Sequence, residues 1–381
     1  MQSVCFYPGD MKIVFLIRSL NQGGAERQLV TLAKALKKEN FNVTILCFYS
    51  GGILAKDLEN TEVKLISLEK QHRWDVLSFL WRLYREIKGL NPDILHGYLD
   101  SGNLLATFLK PALPTTRIFW GVRASNVDLT RYSWLSRVLY RLECFCSRLP
   151  DLIIVNSHAG QAYHLAHGFP ADKMVVIPNG IDTEKFKPNP NARTKIRSEW
   201  GIPANTILIG LVGRLDPMKD YPTFLKAAAL LCQVRQDVVF VCIGGGLENY
   251  AREMHQLANQ LEISEKVIWA GARADVPDVY NALDIAVSSS SYGEGFPNVI
   301  GEAMATGVPC VVTDVGDSAW IVGETGIVVP PKNPEALVKG WLVCLEIDKI
   351  QIREQARLRI VNNFSIQKLV AQTKAVLWLK V

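Results

Sequence analysis

At 381 residues the chain is too long for one ordinary domain, and about 150 residues per domain predicts two or three. Apolar residues at 49% and charged residues at 21% predict well-buried cores and exclude disorder, and no apolar run approaches the roughly 18 residues that span a bilayer. Residues 1–180 hold 21 Lys and Arg against 15 Asp and Glu, while residues 181–381 hold 21 against 22, so the excess is amino-terminal and too mild for the basic stripe of a nucleic-acid binder.

Residues 1–10 are expected to be a loose extension, with Met11 an alternative start. The first apolar segment, 13–17, is cut by Arg18 and is too short for the h-region of a signal peptide. Strands are predicted at 12–17, 42–48, 62–66, 93–95, 117–121, 152–155 and 174–177. Helical patterns fill the gaps, most clearly Leu29, Leu32, Ala33 and Leu36. Gly23 and Gly24 precede that helix, whose start can face an anion such as a phosphate. His96 follows the strand 93–95, and Arg123 and Asn126 follow the strand ending near Gly121.

Within 131–149, Arg137, Arg141 and Arg148 share a narrow arc of a helical wheel beside Trp134, Leu135, Leu139, Leu142 and Phe145. Such a helix can lie on an anionic membrane. It reads equally as a core helix with a solvated arginine edge.

The Pro/Asn/Lys-rich stretch 187–191 marks the approach to a second series of strands, near 206–212, 238–243, 266–269, 284–287 and 308–312. Alternation of strand and helix on this scale predicts a doubly wound α/β protein. Arg214 and Lys219 follow the first of these strands, where a guanidinium fork and an ammonium point charge can reach the same phosphates. Loss of Lys219 is expected to spare folding. Gly244, Gly245 and Gly246 follow the second strand and let the backbone approach a nucleotide, or form only a tight turn.

After the fourth strand come Ser288 to Ser291 and then Gly293-Glu294-Gly295-Phe296-Pro297-Asn298-Val299-Ile300-Gly301-Glu302-Ala303-Met304-Ala305. Pro297 suits the first helical position, and free N–H groups at that helix start favour a diphosphate. Glu294 in the loop and Glu302 in the helix can accept hydrogen bonds from sugar and ribose hydroxyls. As an isolated pair they would be two solvated acids. Residues 364–379 read as a closing helix. No G-x-G-x-x-G follows the first strand of either half, which argues against a dinucleotide dehydrogenase. Eight cysteines without a C-x-x-C pair read as reduced thiols of a cytosolic protein, and there is neither D-x-D nor a Cys/His cluster with metal-ligand spacing.

Taken together and in order, several motifs resemble the group 1 glycosyltransferases, glycosyltransferase family 4, over nearly the whole chain. They are Gly23-Gly24-Ala25-Glu26-Arg27, Ile177-Pro178-Asn179-Gly180-Ile181-Asp182, Gly213-Arg214-Leu215-Asp216-Pro217-Met218-Lys219-Asp220, Ile243-Gly244-Gly245-Gly246 and the acidic stretch above. Ala305-Thr306-Gly307-Val308-Pro309-Cys310 and Glu324-Thr325-Gly326-Ile327 continue the match. The resemblance implies the GT-B fold: α/β, two doubly wound Rossmann-like domains facing a central cleft. The acceptor-side domain would span 1–183, with the helix 365–381 packing back on it, and the nucleotide-sugar domain 184–364.

It further implies a retaining transfer from a nucleotide-diphosphate sugar to a glycan or lipid-linked saccharide in envelope or exopolysaccharide synthesis. The enzyme would need no metal and no cofactor and would bind no nucleic acid. Its place would be the cytoplasm, peripheral to the inner face of the cytoplasmic membrane. Glu294, His96, Arg214 and Lys219 would carry catalysis. Glu302, Gly295, Phe296, Pro297, Asn298, Gly244, Gly245, Gly246, Gly23 and Gly24 would hold the donor; Arg123 and Asn126, which the resemblance does not fix, are expected on the acceptor side. His96 stands where the family often places a histidine against the transferred sugar, while Tyr98 replaces the family's frequent second histidine, so His96 reads equally as a structural histidine. A GT-B sugar-nucleotide epimerase or phosphorylase, or a non-catalytic sugar-nucleotide binder, would share these features.

Overall fold

The computed structural model describes residues 11–378 apart from 22, 73 and 124–133, so the predicted extension 1–10 and Asn126 lie outside the described residues. The chain divides into two compact units, one ending at Gly180 and resuming at Ile366, the other Ile181–Ser365.

The first unit carries seven strands: β1 Lys12–Ile17, β2 Asn42–Cys47, β3 Lys64–Ser67, β4 Ile94–Tyr98, β5 Arg117–Val122, β6 Leu152–Val155 and β7 Met174–Val176. They form one sheet in the order β3-β2-β1-β4-β5-β6-β7, every pairing parallel. The crossovers contain α1 Gly24–Lys38, α2 Leu77–Leu90, α3 Leu99–Leu109, α4 Trp134–Cys146 and α5 His158–Ala166. Successive residues of β1 face opposite sides of the sheet, as strand geometry requires. Ile13, Phe15 and Ile17 join α1 and the closing helix Ile366–Leu377 in one core, while Val14 and Leu16 join Phe79, Leu83 and Ile87 of α2 in another. Burial on both faces explains why these strands read as continuous apolar runs.

The second unit repeats the plan with β8 Ile207–Val212, β9 Val238–Ile243, β10 Val267–Gly271, β11 Ile285–Ser288, β12 Cys310–Thr313 and β13 Ile327–Val329, in the order β10-β9-β8-β11-β12-β13. Its helices are α6 Pro190–Glu199, α7 Tyr221–Val234, α8 Glu248–Gln260, α9 Val276–Ala282, α10 Asn298–Ala305, α11 Ser318–Val322, α12 Pro334–Glu346 and α13 Lys349–Phe364. Several start where sequence caps them: Asn189 accepts from the N–H groups of Asn191 and Ala192 ahead of Pro190, and Asn333 from that of Ala336.

Three details depart from the sequence reading. Pro297 is the cap of α10 at φ −71° and ψ 100°, and the helix begins at Asn298. β4 runs on past residue 95, so His96 lies inside the strand, opposite Phe15 and Phe119, because Gly97 and Tyr98 continue the ladder. The three-residue β13 has no counterpart among the predicted strands, being too short to leave a periodic signal. The seven described cysteines are free thiols. Among the described residues no helix is long and apolar enough to cross a membrane.

In each sheet the strand order reverses beside the first strand, between β1 and β4 and between β8 and β11. Open α/β sheets bind ligands at the carboxyl ends of the strands flanking such a reversal. Arg214, Lys219, Glu294 and residues 295–298 follow β8 and β11, while Gly23 and Gly24 follow β1 and His96 lies within β4.

Candidate active site

In the second unit the loop between β11 and α10 is held from two sides. The Ser291 N–H donates to the Met218 carbonyl at 2.9 Å and the Ser289 hydroxyl to that of Lys219 at 2.7 Å. From the other side, the Thr313 hydroxyl donates to the Ser290 carbonyl at 2.6 Å and the Asp317 N–H to that of Gly295 at 2.9 Å. At Gly316, with φ +61°, a Cβ would lie 2.4 Å from the Glu294 carbonyl oxygen, so only glycine permits this approach.

The clamped loop presents Glu294 to Lys219. The ammonium donates to Glu294 Oε1 at 2.5 Å and the Ser290 hydroxyl to the same oxygen at 2.7 Å. The side chains are 13% and 9% exposed, so the pair is largely withdrawn from water. At this burial each charge depends on the other, since an uncompensated one would carry a large desolvation cost. Lys219 is positioned by a short turn, Pro217–Lys219, which Asp216 caps by accepting from the Met218 N–H at 2.9 Å. Arg214 differs: its side chain is 73% exposed and reaches Asp216 at 3.6 Å. It remains available to a ligand that approaches from solvent.

Glu302 is buried on α10, and the Tyr280 hydroxyl of α9 donates to its Oε2 at 3.4 Å. The phenol is itself buried. Beside it a small cavity is lined by residues including Tyr280, Val212, Val299 and Ser288, whose buried Oγ has no hydrogen-bond partner. Phe296 turns into the core against Phe364 and Trp320, so the contact expected of it with a donor would have to come from its backbone. Residues 295–298 lead into an α10 start without a side-chain cap, where first-turn N–H groups project along the helix axis.

The glycine run has a packing reason. At Gly244, with φ +145°, a Cβ would lie 1.9 Å from the Gly213 carbonyl oxygen, and at Gly246 one would lie 2.2 Å from that of Leu215. Two of the three glycines are therefore required by the adjoining backbone after β8. Gly245 has room for a side chain, with its nearest neighbour the Ala272 methyl at 3.6 Å.

The first unit builds a different surface. His96 is fully enclosed by Phe15, Tyr98 and Phe119, with ring centroids 5.2, 5.2 and 6.1 Å away, and its Nε2 has no hydrogen-bond partner. Burial, reinforced by the Arg123 cation, pushes its pKa down to about 3, so the ring is neutral at neutral pH. Arg123 donates to Asn179 Oδ1 at 3.0 Å and to the Tyr98 hydroxyl, and its guanidinium lies 4.6 Å from the centre of the Tyr98 ring. Leu99 adopts φ +65°, a left-handed conformation unfavourable for a bulky residue, at the turn from β4 into α3. Gly23 is the cap residue of α1, extended at φ −150°, and Gly24 opens that helix.

Behind β4 and β5, Asn103 of α3 completes the hydrogen bonding of Gly121. Its Oδ1 accepts from the Gly121 N–H at 3.1 Å, and its Nδ2 donates to the Gly121 carbonyl at 3.4 Å and to Glu143 Oε1 at 3.2 Å. Burial, and secondarily the Asp100 carboxyl, push Glu143 up to about 8, so it is protonated at neutral pH. Asn103, Glu143, Tyr280 and Ser290 were missed by the sequence reading. Only Ser290 carried a signal, as a member of a serine run at a strand end.

On α4, Trp134 and Phe145 are 71% and 75% exposed, and Arg137 and Arg141 are exposed beside them. Arg148 is exposed beyond the end of the helix.

Comparison with known proteins follows the two units. The family described as glycosyl transferases group 1 matches residues 192–359, and glycosyltransferase family 4 matches residues 22–185. The UDP-Gal:alpha-D-GlcNAc-diphosphoundecaprenol alpha-1,3-galactosyltransferase of Escherichia coli is 26% identical over 367 residues, 92% of each chain. A Campylobacter jejuni enzyme, GalNAc-alpha-(1->4)-GalNAc-alpha-(1->3)-diNAcBac-PP-undecaprenol alpha-1,4-N-acetyl-D-galactosaminyltransferase, is 30% identical over 306 residues, 77% of each. Among solved structures, HepE of Anabaena in complex with UDP superposes with a TM-score of 0.85 at 24% identity, covering 96% of this chain and 99% of that one. At that identity the likeness establishes a shared GT-B fold.

Proposed function

The chain belongs to the group 1 glycosyltransferases, and from that premise we propose that it transfers a sugar, with retention and without a metal, from a nucleoside diphosphate sugar to a lipid-linked saccharide or glycan of the cell envelope or an exopolysaccharide. The observation that carries this reading is the sequestered Lys219–Glu294 pair with the Ser290 hydroxyl, at the strand-order reversal of the second sheet.

In this reading the second unit holds the donor. Lys219, Arg214 and the first-turn N–H groups of α10 meet the charge that builds on the diphosphate as its bond to the sugar breaks. Lys219 then exchanges part of its contact with Glu294 for phosphate, which frees a carboxylate oxygen to accept from a sugar hydroxyl. Glu302, steadied by Tyr280, accepts from ribose hydroxyls. The bond from the anomeric carbon to the diphosphate oxygen breaks, and the bond to the acceptor oxygen forms on the same face. The acceptor's proton passes to the departing diphosphate. On the acceptor side, Arg123 offers a fixed cation, whereas His96 is enclosed and stays neutral. The undecaprenyl diphosphate saccharides named for the two relatives support a lipid-linked acceptor, and the UDP bound to HepE supports a uridine donor.

The test measures nucleoside diphosphate release from a panel of uridine, guanosine and adenosine diphosphate sugars, with and without undecaprenyl diphosphate saccharide and in excess chelator. Release that requires the acceptor and survives chelation is expected. Sugar interconversion without acceptor would point to an epimerase, absence of any turnover to a binding protein, and loss in chelator reversed by magnesium would end the metal-free reading.

A lipid-linked acceptor also gives the exposed face of α4 a role, docking the first unit on an anionic leaflet through Arg137, Arg141 and Arg148 at about 1 kcal/mol each. Vesicle co-sedimentation should fall with added salt and when all three become glutamine. Unchanged binding would leave α4 an ordinary surface helix.

A further inference from the structure

Buried polar atoms without a hydrogen bond are uncommon, because each keeps a desolvation cost that nothing returns. Two of them stand on neighbouring strand ends of the first sheet: Arg123 Nε, which only donates, and Asn156 Oδ1, which only accepts. The β5–β6 ladder pairs Val122 with Val155, and the Asn156 N–H donates to the Val122 carbonyl at 3.3 Å, so Arg123 and Asn156 are next in register. Alternation puts both side chains on one face, since Phe119 and Ile154, in phase with them on the same two strands, belong to the core shared with α1. His96 Nε2 also lacks a partner but is walled off: a Cβ at Gly121 would lie 3.1 Å from it, so β5 itself covers the ring.

The two side chains are held differently. Arg123 is half-buried and anchored by neutral groups, Asn179 Oδ1 at 3.0 Å and the Tyr98 hydroxyl, with its guanidinium 4.6 Å from the centre of the Tyr98 ring. Those two bonds leave further N–H protons of the fork unspent. Asn156 is 4% exposed, and its Oδ1 accepts from nothing. The next residue, Ser157, has a structural task, because its hydroxyl accepts from the Gly160 N–H at 3.0 Å to cap α5. The Asn156 oxygen has none. The guanidinium is the part of the pair that solvent reaches, so a ligand group enters beside it and meets Asn156 behind.

A donor set beside an acceptor selects the group that both can share. A phosphate or carboxylate would suit Arg123 and leave the Asn156 oxygen facing a second negative atom. A cation would be repelled by Arg123, and an ether oxygen only accepts. An acetamido group carries a donor and an acceptor, but its N–H and C=O point in opposite directions from one rigid plane. A hydroxyl accepts from the guanidinium and donates to the amide oxygen at once. With its lone pair held by a cation, such a hydroxyl is a poor nucleophile, so it is a neighbour of the one that attacks.

We propose that Arg123 and Asn156 form a hydroxyl-reading subsite for the acceptor, with Asn156 as a specificity-determining residue. One acceptor hydroxyl, distinct from the reacting one, accepts from Arg123 and donates to Asn156 Oδ1. This rests on the transferase reading and deepens it: two bonds unmade in the free chain are made only with an acceptor that carries a hydroxyl in the right place, and an acceptor without it leaves them unmade.

Asn156→Leu tests it, because leucine has nearly the shape of asparagine without its polar atoms. Replacing an amide oxygen that has no partner should leave thermal unfolding unchanged or raise it, whereas removing a bonded amide would lower it. In steady-state kinetics with undecaprenyl diphosphate saccharide as acceptor, the acceptor KM should rise roughly tenfold or more while the donor KM stays as in the wild type. A series of singly deoxygenated acceptors should contain one that the wild type uses roughly tenfold worse and that Asn156→Leu no longer distinguishes from its parent. Asn156→Asp, which keeps the accepting oxygen, should retain that discrimination. An Asn156→Leu protein that unfolds early or fails to fold overturns the subsite, since the amide would then be structural. Equal penalties for every deoxygenated acceptor in both proteins overturn it too, as does inhibition by inorganic phosphate that Arg123→Gln relieves, which would mark an anion site. Wild-type turnover with unaltered kinetics in Asn156→Leu sinks the subsite alone. No turnover by the wild type with any acceptor sinks the transferase reading and the subsite with it.

Discussion

The two units end their sheets alike and equip them in opposite ways. Past β8 and β11 the second unit gathers charge: an ammonium and a carboxylate locked 2.5 Å apart, a buried second carboxylate and an exposed arginine. Along β4 the first unit sets a neutral histidine among aromatic rings beside the Arg123 cation and, behind it, a protonated glutamic acid. The contrast teaches that one architecture can carry different electrostatics, because the side chains packed at the strand ends, from loop, strand or helix, set the local dielectric. A diphosphate needs cations waiting for it. A sugar hydroxyl needs neutral groups that do not compete with it.

The sharpest way to break the comparison is to remove one charge of the second unit. Lys219→Ala leaves Glu294 buried without its cation, which should cost on the order of 3 kcal/mol of stability. If Lys219 also stabilises the departing diphosphate, activity should fall by roughly 10²–10³-fold. This differs from the expectation that loss of Lys219 spares folding, because the ion pair was not visible in the sequence. In denaturant unfolding, Lys219→Ala with Glu294→Ala should be less destabilised than Lys219→Ala alone. Wild-type stability in the single variant would remove the pair from the account.

Glu302→Gln should lower kcat/KM at least tenfold, about 1.4 kcal/mol, with thermal unfolding nearly unchanged. The amide keeps an acceptor for the Tyr280 hydroxyl while losing the charge. Full activity in the purified variant would take Glu302 out of the donor site.

The smallest effects lie in the first unit and are read as slopes of stability against pH. His96 is lowered from 6.5 to about 3, so the unfolded chain binds its proton first. The stability of the neutral ring is complete above pH 6.5 and is lost as pH falls toward 3, at up to about 1.4 kcal/mol per pH unit. Glu143 runs the other way. Raised from 4.5 to about 8, it contributes most below pH 4.5 and loses that contribution as pH rises through 8. His96→Asn should flatten the acid limb and Glu143→Gln the alkaline limb. Unchanged limbs in both variants would mean that neither group is enclosed as described.

Much of the fold was legible because parallel strands buried on both faces leave unbroken apolar runs, and every run chosen in the first half became a strand. Residues following such runs were legible for the same reason, which is how Arg214, Lys219 and Glu294 were found at strand ends. Contacts between residues distant in sequence were not. Tyr280 precedes its partner Glu302 by 22 positions, and Asn103 meets Glu143 across 40. Nothing in either local sequence indicates the meeting. The glycines at 244 and 246 carried a true signal, and the cause that the structure shows for it is packing.

The closing helix has a consequence for synthesis. The second unit is one continuous segment, Ile181–Ser365, whereas the first is completed only by residues from Ile366 onward. Leu369, Val370, Val376 and Leu377 belong to the core formed with Leu29 and Leu36, and Arg117 donates to the Leu377 carbonyl at 2.7 Å. Until those residues leave the ribosome, the nascent first unit has an apolar groove along α1, at roughly 1.5–3 kcal/mol for each side chain still missing. The part made first is therefore the part finished last, and a growing chain has longest to aggregate or recruit a chaperone through that groove.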